Sequence, residues 1–120
     1  MTDKHYMTVG WLEDMLDAAK QISEYLAGVD IARFKRERLL QDAVIRNFEI
    51  MGEAAIRVLR QDAEFAAAER HLNLEVIYAM RNQLVHGYRT VDLDVVWSAA
   101  QENVPPLISR LQNLIETWRA

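Results

Sequence analysis

The sequence predicts an all-α protein: an up-and-down antiparallel four-helix bundle whose last helix is kinked or split at Pro105-Pro106. Three observations carry this expectation. The 120 residues hold only four glycines and two prolines, whereas a β-sandwich or barrel needs a turn about every ten residues. Apolar residues recur at three- and four-residue steps over long stretches, which is the period of a helix face. Apolar types make up 51% of the chain, enough for one domain over residues 1–120 to bury a core without staples. No segment alternates as a strand would, and none repeats.

The first helix is expected from Thr8 to Ala27, with Leu12, Met15, Leu16, Ala19, Ile22 and Leu26 in one stripe. Thr8 suits the N-cap, and Gly28 the left-handed position after the last turn. A longer helix should run from Asp30 to Arg60. Val44, Phe48, Met51, Ala55 and Val58 give it a bundle-type seam. Gly52 lies inside that seam at a cost of about 1 kcal/mol relative to alanine, and close approach of a neighbouring helix is the usual reason for such a residue. Residues 61–72, polar and alanine-rich, read as a connector with a short helical turn or two. Asn73 then looks like an N-cap, with Glu75 in the first turn, where the helix dipole favours an anion. The third helix should span Leu74 to His86, burying Leu74, Ile77, Leu84 and Val85, and Gly87 should end it. Thr90 or Asp92 can cap a fourth helix from Leu93. Pro105 and Pro106 interrupt its hydrogen-bond ladder, and Val104, Leu107, Leu111, Leu114 and Trp118 resume the stripe.

Composition narrows the function. With no cysteine, disulfides, zinc fingers, thiol catalysis and Fe–S clusters are excluded. A net charge of −4 does not favour nucleic-acid binding through bulk charge, so any such role needs a local basic site. No apolar run approaches the ~18 residues of a membrane span. The opening Met-Thr-Asp-Lys-His-Tyr lacks a signal peptide's apolar stretch, so a cytoplasmic location is expected.

Chemistry concentrates in Arg81-Asn82-Gln83-Leu84-Val85-His86-Gly87-Tyr88, at the end of the third helix. Asn82 and His86 share a helix face, and Arg81 and Tyr88 share another. The two stripes lie about 100° apart on an ideal helix, so they can line one groove, though fraying at Gly87 or a second chain must bring Arg81 and His86 together. Such groups suit phosphodiester cleavage without a metal. A histidine can take a proton from a ribose 2′-OH or give one to the leaving oxygen. An arginine fork matches two phosphate oxygens and stabilises the extra charge of the transition state. An asparagine amide can orient either. One histidine per chain serves poorly as both base and acid, and a symmetric dimer removes that difficulty.

This stretch resembles the Arg-x4-His-x-Tyr motif of the HEPN superfamily, in particular the HepT-like toxins. Residues 39–55, Leu-Leu-Gln-Asp-Ala-Val-Ile-Arg-Asn-Phe-Glu-Ile-Met-Gly-Glu-Ala-Ala, look like that family's second-helix signature. Val91-Asp-Leu-Asp-Val-Val-Trp97 looks like the family's segment after the motif, and the proline pair also fits. The resemblance spans residues 8–118. It implies a helical homodimer, or a higher assembly, with a composite active site where the motif helices meet. It implies a metal-independent, cofactor-free RNA endonuclease, the toxin of a type VII toxin–antitoxin pair. By the same resemblance, Arg81 and His86 match the catalytic pair and Asn82 the polar residue that commonly comes after the arginine. Tyr88 matches the tyrosine adenylylated by a cognate nucleotidyltransferase antitoxin of the minimal (MNT) type. That modification would set bulk and negative charge beside the catalytic pair.

Other signals have plainer readings. Arg33-Phe-Lys-Arg-Glu-Arg38 could grip RNA or an acidic partner through Arg33, Lys35, Arg36 and Arg38, but a solvated helix face explains it as well. Glu49 and Glu53 share a face, yet no histidine follows either at the spacing of a di-iron bundle; pairing with Arg46 and Arg57 is the simpler expectation. His5 and His71 have no partners at metal-ligand spacing, and no metal site is expected. Trp11, Trp97 and Trp118 read as core or dimer-interface anchors. A competing function is a non-catalytic subunit that binds a nucleotide or partner within a nucleotidyltransferase complex.

Overall fold

Residues 3–119 are described by a computed structural model; the side chains of Asp3, Tyr88 and Arg119 lie outside the described set. Among the described residues every regular element is helical: α1 (Asp3–Leu26), α2 (Ile31–Arg36), α3 (Arg38–Gln61), α4 (Ala63–Ala68), α5 (Leu74–His86), α6 (Leu93–Ser98) and α7 (Val104–Arg119). The long helices α1, α3, α5 and α7 form the expected up-and-down bundle. α3 packs against both α1 and α5, and α7 packs on α1. Leu12, Met15 and Ile22 of α1 meet Val44 and Val58 of α3 and Leu111 of α7 in a fully buried core. Among the described residues no helix is long and apolar enough to cross a membrane.

Three expectations about helix boundaries need correction. Thr8 does not cap α1, which begins five residues earlier. Its buried hydroxyl instead donates to Asp62 Oδ2 at 2.8 Å, tying α1 to the α3–α4 turn. Asp62 also caps α4 by accepting from Phe65 N. Second, the helix expected from Asp30 to Arg60 is broken at Glu37, whose backbone is extended (φ −102°, ψ 100°). On one straight helix Phe34 would sit about 80° off the Val44–Val58 seam. The break turns it fully into the core against Trp97, with ring centroids 5.6 Å apart. The exposed carbonyls of α2 are met by Gln41 Nε2, which donates to Phe34 O at 2.9 Å and Lys35 O at 3.1 Å. Third, Asn73 precedes α5 in a left-handed conformation (φ 55°, ψ 45°), and its side chain makes no cap bond. Asparagine tolerates that region better than most residues.

The remaining junctions follow the chemistry. Asp30 caps α2 by accepting from Arg33 N at 2.8 Å. Gly28 is left-handed at φ +74°. Asp92, rather than Thr90, caps α6. The connector at 61–72 holds α4 and a single 3-10 turn, Arg70–Leu72. Between α6 and α7 the path stays helical, but Ala99–Asn103 is a π-helix in which Val104 N reaches back to Ala99 O. The two prolines offer no N–H and their rings crowd the carbonyls four residues back. A wider turn there, with Pro105 and Pro106 in the first turn of α7, relieves both problems. Ile115, not Leu114, completes the buried stripe of α7.

Candidate active site

The motif lies on α5, and its placement is set where α5 crosses α3. A Cβ on Gly52 would lie 2.0 Å from Arg81 Cβ, 2.6 Å from Arg81 Cγ and 3.3 Å from the Ile77 carbonyl. The two helices therefore touch backbone to side-chain root at the arginine itself, which explains the glycine in the α3 seam.

From that contact the Arg81 side chain, 27% exposed, runs outward to two oxygens. Its Nη1 donates to Asn82 Oδ1 at 3.0 Å, and Nη2 lies 3.9 Å from Glu53 Oε2. Asn82 thus engages the guanidinium. Glu53 also accepts from Arg57 Nε at 3.0 Å, the i,i+4 pairing expected from sequence, and Arg57 stands over the Trp11 ring at 5.5 Å. The hollow beside Arg81, about 320 Å³, is lined by Trp11, Asp14, Arg46, Glu49 and Glu53 among others. Three carboxylates thus surround two guanidinium groups.

His86 is the last residue of α5 and is exposed. Gly87 closes the helix by donating to Gln83 O at 2.9 Å, and Thr90 N donates to Gly87 O at 2.9 Å. His86 borders a different hollow, about 460 Å³, with Met80, Gln83, Gly87, Thr90 and Val95. The two hollows share no lining residue. Within the single chain, then, Arg81 and Asn82 come together while His86 faces elsewhere. Tyr88 begins the short 3-10 segment Tyr88–Thr90, two residues beyond the histidine.

The cations of α2 and early α3 are largely engaged. Arg33 pairs with Glu37, Lys35 with Asp94 at 2.8 Å and Arg38 with Asp42 at 3.1 Å. The tryptophans are partly buried within the chain. Trp11 donates to Gln61 Oε1 at 3.3 Å, and Trp118 meets the His5 ring at a tilt and the Phe65 ring edge-on. His71 Nδ1 lies 3.3 Å from Glu69 Oε2. Among the described residues no three His, Cys, Asp or Glu side chains cluster as a metal site would require. Sequence reasoning missed the second contact of Glu53. Its i,i+4 spacing to Arg57 was visible, but only the α3–α5 register sets it beside Arg81.

Fold and motif together define a small helical protein that presents an arginine and a histidine on one helix crossing its neighbour at a glycine. A family model described as "Ribonuclease HepT-like" matches residues 15–114, and the chain belongs to that family. It is 30% identical over 104 residues to "Probable ribonuclease HepT" of Thermococcus cleftensis, covering 87% of this chain and 92% of that protein. It is 30% identical over 97 residues to "Putative RNase MJ1380" of Methanocaldococcus jannaschii, covering 81% and 86%. A longer protein of the same organism, "Gamma-glutamylcyclotransferase and putative RNase MJ0434", matches over 106 residues at 30% identity, covering 88% of this chain and 46% of that protein. No solved structure matches the chain significantly.

Proposed function

We propose that this protein is a metal-independent RNA endonuclease acting as the toxin of a type VII toxin–antitoxin pair. The observation that carries the reading is α5 itself, with Arg81 braced against α3 and His86 exposed at the helix end. Arg81 binds the scissile phosphate and stabilises the charge that builds on its oxygens. His86 takes the proton of the attacking 2′-OH, and a second histidine protonates the leaving 5′ oxygen. The products are a cyclic phosphate and a free 5′-OH.

Because Arg81 and His86 border separate hollows, the site requires a homodimer that sets one protomer's arginine near its partner's histidine. The outer faces of α5 and the neighbouring α6 support this. Val76 of α5 is 66% exposed, Val95 of α6, beside the His86 hollow, is 52% exposed, and Met80 of α5 borders that hollow as well. Such an apolar patch, with α5 packed chiefly on one neighbour, suits burial against a second copy of the chain. Adenylylation of Tyr88 by a cognate MNT-type nucleotidyltransferase would place a phosphate two residues from His86 and block RNA.

The test uses purified protein and labelled RNA in chelator, with His86→Ala in parallel. The wild type should cleave and the variant should be slower by about 10²–10⁴-fold. Equal cleavage by both removes the catalytic role of His86. Incubation with the transferase and ATP should add adenylate mass to the wild type and not to Tyr88→Phe.

A further inference from the structure

Glu53 occupies an unusual position for a surface carboxylate. It comes directly after Gly52, the residue that receives the root of Arg81. One of its oxygens accepts from Arg57 Nε at 3.0 Å and the other faces Arg81 Nη2 at 3.9 Å. Arg57 is itself seated over Trp11 of α1. A continuous chain of contacts therefore runs Trp11–Arg57–Glu53–Arg81 across α1, α3 and α5. Both ends of the Arg81 side chain are referenced to two successive residues of α3, its stem to Gly52 and its tip to Glu53.

We propose that Glu53 is a positioning residue for Arg81, a role that rests on the nuclease reading above. A guanidinium has five N–H donors in a fixed plane. With Nη1 on Asn82 and Nη2 drawn toward Glu53, the plane is fixed and the remaining donors keep one orientation for a phosphate. The cost is electrostatic. Glu53 shares the hollow with Asp14 and Glu49, so its charge opposes an incoming anion. Orientation and affinity are thereby set against each other, and removing the carboxylate must move them in opposite senses.

The experiment measures steady-state RNA cleavage by the full chain carrying Glu53→Ala, Glu53→Gln or Arg81→Ala, with a thermal melt and side-chain ¹⁵N spectra of each. Glu53→Ala should lower kcat by about tenfold or more, since misplacement of a catalytic group by an ångström can cost up to about 10²-fold, while KM for RNA falls. Glu53→Gln keeps an acceptor for Nη2 and should retain more of kcat. Both melts should match the wild type, because exposed ion pairs add little stability. The Arg81 side-chain resonance, assigned by its loss in Arg81→Ala, should shift in Glu53→Ala. If Arg81→Ala is inactive while Glu53→Ala keeps the wild-type kcat, the positioning role is overturned and the nuclease reading stands. If kcat falls in step with a lowered melting temperature and glutamine does no better than alanine, Glu53 is only a brace and the proposal is again overturned. If Arg81→Ala cleaves like the wild type, the nuclease reading fails and takes the proposal with it.

Discussion

The two ends of the motif are built on opposite principles. At Arg81 the side chain is fixed from root to tip, its stem pressed on Gly52 and its guanidinium between Asn82 and Glu53. Five residues later His86 stands exposed where α5 stops, beside a glycine and a 3-10 turn. In the proposed reading, the group that binds phosphate is thus organised by the chain's own fold. The group that would transfer protons is presented outward, where a second surface can complete its setting. A fixed charge and a presented base are different demands. A helix crossing meets the first and a helix end meets the second.

The largest expected effect breaks the comparison at its exposed end. His86→Ala should lose about 10²–10⁴-fold in cleavage yet stay within about 0.5 kcal/mol of the wild-type stability, because the imidazole covers no core. Denaturant unfolding and RNA cleavage measured together check this. A large loss of stability would mean that His86 is a structural residue.

Gly52→Ala probes the fixed end without touching a polar group. The added methyl gains about 1 kcal/mol of helix propensity, but its position 2.0 Å from Arg81 Cβ forces α3 and α5 apart, and such overpacking typically costs about 1–3 kcal/mol. Cleavage should drop by at least about tenfold, because displacing Arg81 by an ångström is enough. Wild-type cleavage by this variant would show that the helix crossing does not place the arginine.

The same contrast explains what was legible in the sequence. α1, α3, α5 and α7 follow from spacing along the chain, and Arg81, Asn82 and His86 are neighbours on one helix. Gly52 announced a close approach because a buried helical glycine has few other uses. The break at Glu37 was hidden because residues 31–61 hold good helix formers, and only the burial of Phe34 against Trp97 demands it. Thr8 read locally as a cap, while its partner Asp62 lies 54 residues away. The i,i+4 spacing of Glu53 and Arg57 predicts their pairing, but the contact of Glu53 with Arg81 depends on the register of two helices. What one element decides alone is readable; which residues two elements bring together is not, even where a glycine such as Gly52 signals that they meet.

Asp62→Ala should separate stability from function in the reverse sense. It removes the α4 cap and the acceptor for the buried Thr8 hydroxyl, costing about 1–2 kcal/mol. Asp62 touches neither hollow, so kcat should be unchanged at temperatures where the variant is folded. A matching loss of kcat would mean that the α1–α3 tie, too, governs Arg81.

The smallest effect concerns the cations outside α5. Arg33, Lys35 and Arg38 each have a carboxylate partner, whereas Arg36 has no ion pair among the described residues. A free cation that contacts RNA releases a counterion on binding, contributing about 0.7 to the slope of log affinity against log salt for a single strand. An engaged one must first surrender its partner and contributes less. If α2 grips RNA, Arg36→Ala should flatten the salt dependence of KM by roughly that amount and raise KM only a few-fold. Arg33→Ala should change it less, and neither should alter kcat. Identical salt slopes for the wild type and both variants would mean that recognition, like catalysis, is confined to the motif helix and the surface that meets it.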